Sequence, residues 1–443
     1  MQEPSSYTPT KQESAAQITR EIITRLFRGA SDQGIAFRLW DNQVLFSESG
    51  VKPRATLVLT HPGALRRMFF PPGELTLGEA YLRGDFDIEG DIFAAMAFAT
   101  VIGGLAKQDM LYLVGKISSL PNSDPPQTFL EGRQPARLRG VRHSPERDRT
   151  AVTYHYDTGN EFYRLFLGKW MAYSCAYFSD PRMELDAAQE AKLEHICRKL
   201  RLREGDRLLD IGCGWGGLVL YAAQKYGVKA TGITLSEPQV EYGSDWIRKS
   251  GLTDRVRVEV RDYRDLDAYE PFDKIVSVGM FEHVGQARQM EYFQCAYRAL
   301  RDGGLFLNHG IALQASRPAG WFERVILQRG QFSNRYVFPD GELIQVSQAL
   351  SIAESVGFEV RDVEGLREHY ALTLRNWVKN LEANREQALR LKDERTYRTW
   401  RLFMSASAYG FESGQISVFQ ALLSKSVLGK AELPLTREDL YAS

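Results

Sequence analysis

Apolar residues recur at helical spacing from Ala15 to Phe27, where Ile18, Ile22, Ile23, Leu26 and Phe27 share one side and predict an amphipathic first helix. Short alternating runs follow at Ile35–Trp40, Val44–Phe46 and Ala55–Leu59, separated by turn residues, and predict a small sheet. Gly73 to Gly90 reads as turns mixed with apolar pairs. Ile92 to Ala106, fifteen residues without a charge, reads as a mostly buried helix. That run is too short to span a bilayer and carries the adjacent Gly103 and Gly104. Five prolines, Pro121, Pro125, Pro126, Pro135 and Pro145, punctuate Ser118 to Arg149 and predict a linker.

Beyond the linker the period changes. A helical pattern over Leu185–Leu200 leads to the apolar run Leu208–Ile211, and strand-like runs recur at Lys229–Thr234, Val256–Val260, Phe272–Val278 and Gly304–His309. Helical stretches starting near Pro238, Ala287 and Leu343 lie between or after them. A further strand is expected at Phe358–Val363, helix over Leu374–Gly410, and a last strand at Gln415–Gln420. The alternation predicts an α/β fold, a doubly wound and mostly parallel sheet covered on both faces, preceded by a smaller α+β domain. Ligands in such sheets bind beyond the carboxyl ends of the strands, which ranks Asp210–Gly216, Thr234, Asp262, Met280–His283 and His309. Phe322–Pro339, aromatic and carrying Arg324, Arg329 and Arg335, is the insertion expected to choose the substrate.

The sharpest local signal is Asp210-Ile211-Gly212-Cys213-Gly214-Trp215-Gly216-Gly217, a strand that runs into glycines and then a helix. Glycine lets the backbone approach a nucleoside and adopt positive φ. Gly212, Gly214 and Gly217 also satisfy dinucleotide spacing. The second strand, however, ends in Thr234-Leu235-Ser236 rather than in an acid that would hold a ribose diol, which weakens that reading.

At 443 residues the chain has room for two domains. Its 56 basic and 56 acidic residues cancel, so bulk attraction to nucleic acid has no support and any polyanion or membrane contact must be local. One local candidate exists: six arginines against Glu146 and Asp148 between Arg133 and Arg149. They are either a solvated linker face or a contact for anionic headgroups, at about 1 kcal/mol per basic residue. Cys175, Cys197, Cys213 and Cys295 have no paired metal-type spacing, and Met1–Ser14 lacks a secretory pattern, so a reducing cytoplasmic setting is the expectation.

Tyr154-His155-Tyr156-Asp157-Thr158-Gly159-Asn160 and Tyr173-Ser174-Cys175-Ala176-Tyr177-Phe178 crowd aromatic and hydroxyl residues without a period, which suits a pocket wall. With Asp210–Gly217, Gly232–Ser236, Met280–Gly285 and His369–Leu374, they make the chain resemble the cyclopropane fatty acyl phospholipid synthases, the family that includes the mycolic acid cyclopropane synthases. The resemblance covers about residues 150 to 420. It implies a class I, Rossmann-like methyltransferase domain over 150–443, a linker at 118–149 and an N-terminal lipid-interacting domain at 1–117. It also implies S-adenosylmethionine as cofactor, with Gly212 and Gly214 beneath it, Thr234, Leu235 and Gln239 around the ribose and adenosine, Asp262 and Tyr263 at the adenine, and Tyr173 and Ser174 over the methionyl part. A bicarbonate held by Cys175, Glu282, His309, Tyr370 and the backbone of Ile311 is the implied acid–base group. Gly310 departs from the threonine that relatives often carry. His155 and His369 are assigned no chemistry, and no metal is expected.

The implied reaction transfers the methyl carbon of S-adenosylmethionine to the cis double bond of an unsaturated phospholipid acyl chain and closes a cyclopropane ring. An alkene is a poor nucleophile, so the donor must be held in line with the π bond. The carbocation-like centre that results must lose a proton to a nearby anion. Tyr177 and Phe281 are candidate aromatic faces for that cation. The partners implied are acyl chains at the inner membrane surface, touched peripherally, with a homodimer left open. Three rivals stand beside this reading: a relative that leaves a methylene or methyl branch, a small-molecule methyltransferase, and a non-enzymatic lipid carrier.

Overall fold

The computed structural model describes residues 11–46, 52–96, 107–314, 330–429, 431 and 433–441. The chain divides into two compact units. One comprises Met1–Gln134, Pro318–Val337 and Lys392–Tyr409, the other Pro135–Arg317, Phe338–Leu391 and Gly410–Ser443.

In the first unit the amphipathic helix spans Lys11–Leu26 and buries Ile22, Ile23 and Leu26. Strands β1 (Ile35–Arg38), β2 (Val44–Leu45), β3 (Ala55–Leu59) and β4 (Phe86–Gly90) form a sheet in the order β2-β1-β3-β4, in which only β1 and β3 run parallel. Gly73–Gly90 is not a run of turns. It contains the helix Glu74–Arg83, closed by Gly84 at φ 87°, and then β4. Gly78 reads as a breaker but is there for packing: a Cβ on it would stand 2.4 Å from the Phe332 ring. Residues 92–96 of the long apolar run are helical, while 97–106, like 322–329 of the expected insertion, lie outside the described residues. Gln331–Tyr336 forms a short helix.

The second unit is built on seven strands: β5 (Arg207–Ile211), β6 (Lys229–Thr234), β7 (Val256–Val260), β8 (Phe272–Val278), β9 (Leu300–Leu313), β10 (Glu359–Gly365) and β11 (Ile416–Ser424). Their order is β10-β11-β9-β8-β5-β6-β7. β7, β6, β5, β8 and β9 pair in parallel, and β11 runs antiparallel to both β9 and β10. This is the mostly parallel, doubly wound sheet that the alternation of strands and helices predicts. Successive strands step outward in opposite directions from β5, so the order reverses between β5 and β8 and opens a crevice at their carboxyl ends. The helix Gly217–Tyr226 buries Leu218–Ala223 against Leu208, Val276 and Leu307 on one face. The helices Gln289–Ala299 and Val346–Val356 pack with Ile275 and Phe306 on the other.

The expected linker ends earlier than Arg149. Ser144 caps a helix over Pro145–Tyr156 by accepting from the Arg147 amide at 3.4 Å, with Pro145 in the first turn. Two of the six arginines are committed to acids of the same unit. Arg147 reaches Asp340 at 2.5 Å, and Arg142 reaches Glu342 at 2.7 Å. Among the described residues no helix is long and apolar enough to cross a membrane.

Candidate active site

β5 delivers Asp210 and Ile211 to the crevice, and Gly212, Gly214 and Gly216 then follow with φ of 82°, 55° and 87°. The turn is tied to β6 because the amides of Gly212 and Cys213 both donate to the Ile233 carbonyl, at 2.9 and 3.0 Å. The glycines differ in what a side chain would meet. A Cβ on Gly212 would lie 2.7 Å from Cβ of Met280, whereas one on Gly214 would meet nothing within 4 Å. The outer side of Gly214 is therefore open, at the amino end of the helix Gly217–Tyr226, where backbone N–H groups face a ligand.

At the end of β6, Thr234 Oγ1 donates to Gln239 Oε1 at 2.7 Å and accepts from the Ser236 amide, with Leu235 half-buried between them. The Asp262 carboxylate is engaged. Arg264 donates to it from its backbone amide and from its guanidinium, at 2.8 Å from Nε and 2.7 Å from Nη2. Tyr263 is buried edge-on against Tyr292, with ring centres 5.5 Å apart. Asp210 is 3% exposed, and Oδ1 has no hydrogen-bond partner among the described residues. Burial pushes its carboxyl up to about 7, against the pull of Lys192.

The loop Tyr173–Phe178 has no regular structure and is pinned from two helices. The Ala176 amide donates to Thr373 Oγ1 and the Phe178 amide to His369 Nδ1, both at 2.9 Å. The Tyr177 amide donates to the Ala188 carbonyl at 3.0 Å. His369 is thus a loop anchor, kept below its ordinary pKa by burial. The Tyr173 ring stacks on His155 at 5.4 Å and lies 5.2 Å from Trp377. His155 in turn stacks on Phe338 at 4.1 Å, and Tyr370 packs on Phe411 at 4.7 Å. These rings pack on one another as an aromatic cluster beside the Tyr173–Phe178 loop.

The two aromatic faces expected to favour a cation are elsewhere. Tyr177 is sandwiched between His195 at 4.4 Å and His369 at 4.9 Å, so both of its faces are covered. Phe281 is 1% exposed and packs with Tyr292, Phe293 and Phe419 in the core. Sequence shows an aromatic residue near a motif but not which way its ring turns. The same Phe281 ring explains Gly310, since a Cβ there would approach it to 3.0 Å.

The implied acid–base residues lie on four segments. Glu282 follows β8 in a single helical turn, Phe281–Val284, and Oε1 accepts from the Ile311 amide of β9 at 2.5 Å. Its Oε2 makes no hydrogen bond to another described residue, and burial pushes the carboxyl from 4.5 up to about 7. His309, two residues back along β9, is 2% exposed and held down to about 3 by burial and by Lys192 and Lys199. Its Nδ1 lies 3.2 Å from Gln420 Nε2. With the amide donating, the ring proton sits on Nε2, which has no partner among the described residues. Cys175 is fully buried, its thiol directed at the carbonyls of Ala176 (3.3 Å) and Leu366 (3.7 Å) and raised in pKa by burial. Tyr370 is raised far above the phenol range by burial, with Cys175, Glu282 and Tyr156 adding to the shift. Near neutral pH Cys175, Tyr370 and His309 are uncharged and burial favours the protonated form of Glu282; the Cys175 thiol is already turned to two backbone carbonyls, whereas His309 Nε2 and Glu282 Oε2 have no hydrogen-bond partner among the described residues.

Several residues that sequence reasoning passed over belong to this region. Trp377 and Phe338 belong to the aromatic cluster, and Gln189 and Lys192 grip the Tyr173–Phe178 loop from the helix Leu185–Lys199. Lys192 had a signal: it stands on the stripe of Ala188, His195 and Ile196, where a solvated lysine would not be expected.

Residues 143–421 match the family described as mycolic acid cyclopropane synthetase. The chain is 42% identical over 410 residues to a probable fatty acid methyltransferase of Pseudomonas putida, covering 92% of this chain and 96% of that one. It is 35% identical over 433 residues to a probable fatty acid methyltransferase of Mycobacterium tuberculosis, covering 95% and 98%. A crystal structure of a mycolic acid cyclopropane synthase complexed with SAH and CTAB superposes with a TM-score of 0.59 at 34% identity, covering 62% of this chain and 98% of that one. Strand order, glycine turn and family match agree, and the chain belongs to the cyclopropane synthase family of S-adenosylmethionine-dependent methyltransferases.

Proposed function

We propose that the protein transfers the methyl carbon of S-adenosylmethionine to the cis double bond of an unsaturated phospholipid acyl chain, and that proton loss assisted by bicarbonate closes a cyclopropane ring. The observation that supports this reading is that Glu282 Oε2 and His309 Nε2 are buried without a hydrogen-bond partner among the described residues, with Glu282 tied to β9 by the Ile311 amide and pushed up to about 7 by burial. In this reading the sulfonium supplies an electrophilic methyl and the bicarbonate a proton acceptor. Gly212 and Gly214 admit the donor, and Thr234 and Gln239 fix its ribose. Tyr173, Trp377 and Phe338 exclude water from the reacting chain. Glu282 holds or releases a proton at Oε2, and the Ile311 amide keeps that carboxyl in one orientation.

In this reading the enzyme is cytoplasmic and meets the membrane peripherally through residues 1–117, which we propose as the lipid-interacting domain. Arg137, Arg139 and Arg149 of the expected linker lie in the second unit, are exposed, and are a separate candidate contact worth about 1 kcal/mol each on anionic lipid. Incubating the full chain with S-adenosylmethionine and vesicles of unsaturated phospholipid, with and without bicarbonate, tests the reading. The expected product has gained one CH₂ unit and lost its vinyl proton signals, at a rate that rises with bicarbonate. A second reading is that the same transfer leaves a methylene or methyl branch; the two relatives that match nearly end to end are both called probable fatty acid methyltransferases, a name that specifies no ring. Proton spectra of the lipid separate ring from branch. Transfer to soluble amines or phenols without vesicles, or lipid binding without SAH release, would replace both readings.

A further inference from the structure

The helix Leu185–Lys199 turns two buried polar side chains, three residues apart, toward the loop that carries Tyr173 and Ser174. Gln189 Nε2 donates to the carbonyls of Ala172 at 3.2 Å and Ser174 at 3.0 Å. Lys192 Nζ donates to Ser174 Oγ at 2.9 Å. Lys192 is 3% exposed, and a lysine is seldom buried so far without a task. The charge that faces it from β5 is Asp210, two residues before Gly212, whose Oδ1 has no partner among the described residues. Cys175 faces it from the loop and His309 from β9. The reaction derived above uses none of the Lys192 chemistry. Stability does not explain the residue either, because a methionine of similar volume would fill the place without desolvating an ammonium.

We propose that Lys192 is a positioning residue of the cofactor site, whose ammonium clamps Ser174 and so holds the Tyr173–Ser174 segment at the end of β5, balanced there by Asp210. The proposal rests on the reading that this segment closes over the methionyl part of S-adenosylmethionine. A clamp that orders the segment before the cofactor arrives removes an ordering penalty from binding. Burial lowers the Lys192 pKa to about 8, while Cys175 and Asp210 draw it back up. Of the groups facing it, the Cys175 thiol titrates well above this range, His309 near 3 and Asp210 near 7. Loss of the Lys192 proton therefore weakens the clamp on the alkaline side of neutrality.

The test is calorimetric titration of the full chain with SAH from pH 7 to 9, for the wild type, Lys192→Met, Ser174→Ala and the double variant. Lys192→Met should weaken SAH about tenfold at pH 7 with no fall in Tm, Ser174→Ala should do about the same, and the double variant should be no weaker than the worse single one. The alkaline loss of affinity seen in the wild type should be missing from both single variants. Wild-type affinity in Lys192→Met, multiplying losses in the double variant, or a loss that follows a fall in Tm overturns the proposal. If Lys192→Met does not fold, Ser174→Ala decides by its affinity and its alkaline limb. A wild-type chain that binds SAH but leaves phospholipid unchanged refutes the acyl-chain reading alone, and one that binds no SAH refutes both.

Discussion

The amide of Ile311 donates to Glu282 Oε1 at 2.5 Å, and with the Gly279 amide, which donates to the His309 carbonyl at 2.9 Å, it joins the turn after β8 to β9. It occupies one carboxylate oxygen and leaves Oε2 for whatever enters the pocket. Replacing Glu282 with Gln retains an acceptor for Ile311 and removes the titrating oxygen. Turnover on unsaturated phospholipid should fall by about a hundredfold or more while SAH affinity stays within about twofold. Steady-state rates together with calorimetric SAH binding check this, and turnover at the wild-type rate would remove Glu282 from the proton path.

The same carboxyl makes stability depend on pH. Its pKa is raised in the folded protein, from 4.5 to about 7, so the folded state binds the proton more tightly than the unfolded chain does. The stabilisation is fully present below about 4.5 and is lost as pH rises through about 7, amounting to about 3 kcal/mol for Glu282. Glu282→Gln should therefore gain stability relative to the wild type between pH 5 and 8. Denaturant melts across that range, showing no such relative gain, would contradict the assignment.

Gly212 and Gly214 should respond differently to alanine. At Gly212 a methyl collides with Met280 at a φ of 82°, so folding stability should fall by about 1–3 kcal/mol. At Gly214 the φ of 55° is one that alanine adopts at a cost of about 1 kcal/mol, and the methyl would project into open space. Gly214→Ala should lower SAH affinity by about tenfold or more with only a small shift in Tm. Paired melts and SAH titrations distinguish the two, and unchanged SAH affinity in Gly214→Ala would move the cofactor elsewhere.

Placing at position 310 the threonine that the family resemblance implies should not be neutral here. The Phe281 ring lies 3.0 Å from where its Cβ would stand, so Gly310→Thr should cost about 1–3 kcal/mol. The companion change Phe281→Leu should recover part of that loss. Additive losses in a double-mutant cycle would show that the ring is not the obstacle.

What could be read along the chain followed the strength of local periodicity. Leu208–Ile211, Lys229–Thr234 and Phe272–Val278 are short strand-like runs between turn signals, and each proved to be a central parallel strand. The helix Glu74–Arg83 escaped because Gly78 carries no side chain to mark a face, a choice made by Phe332, more than two hundred residues away. Tyr177 and Phe281 were misplaced for a related reason: composition identifies an aromatic residue, but only packing turns its ring.

The order of residues alone determined the alternation of strands and helices, the glycine turn after β5 and the family, because these depend on spacing within a few residues. Tertiary structure decided which polar atoms were left without partners and which charges were stripped of water. Glu282, His309 and Lys192 come from separate segments, and their proton affinities are set by burial and by one another. Desolvation belongs to the folded surroundings of a group, so no local pattern in the chain can state it.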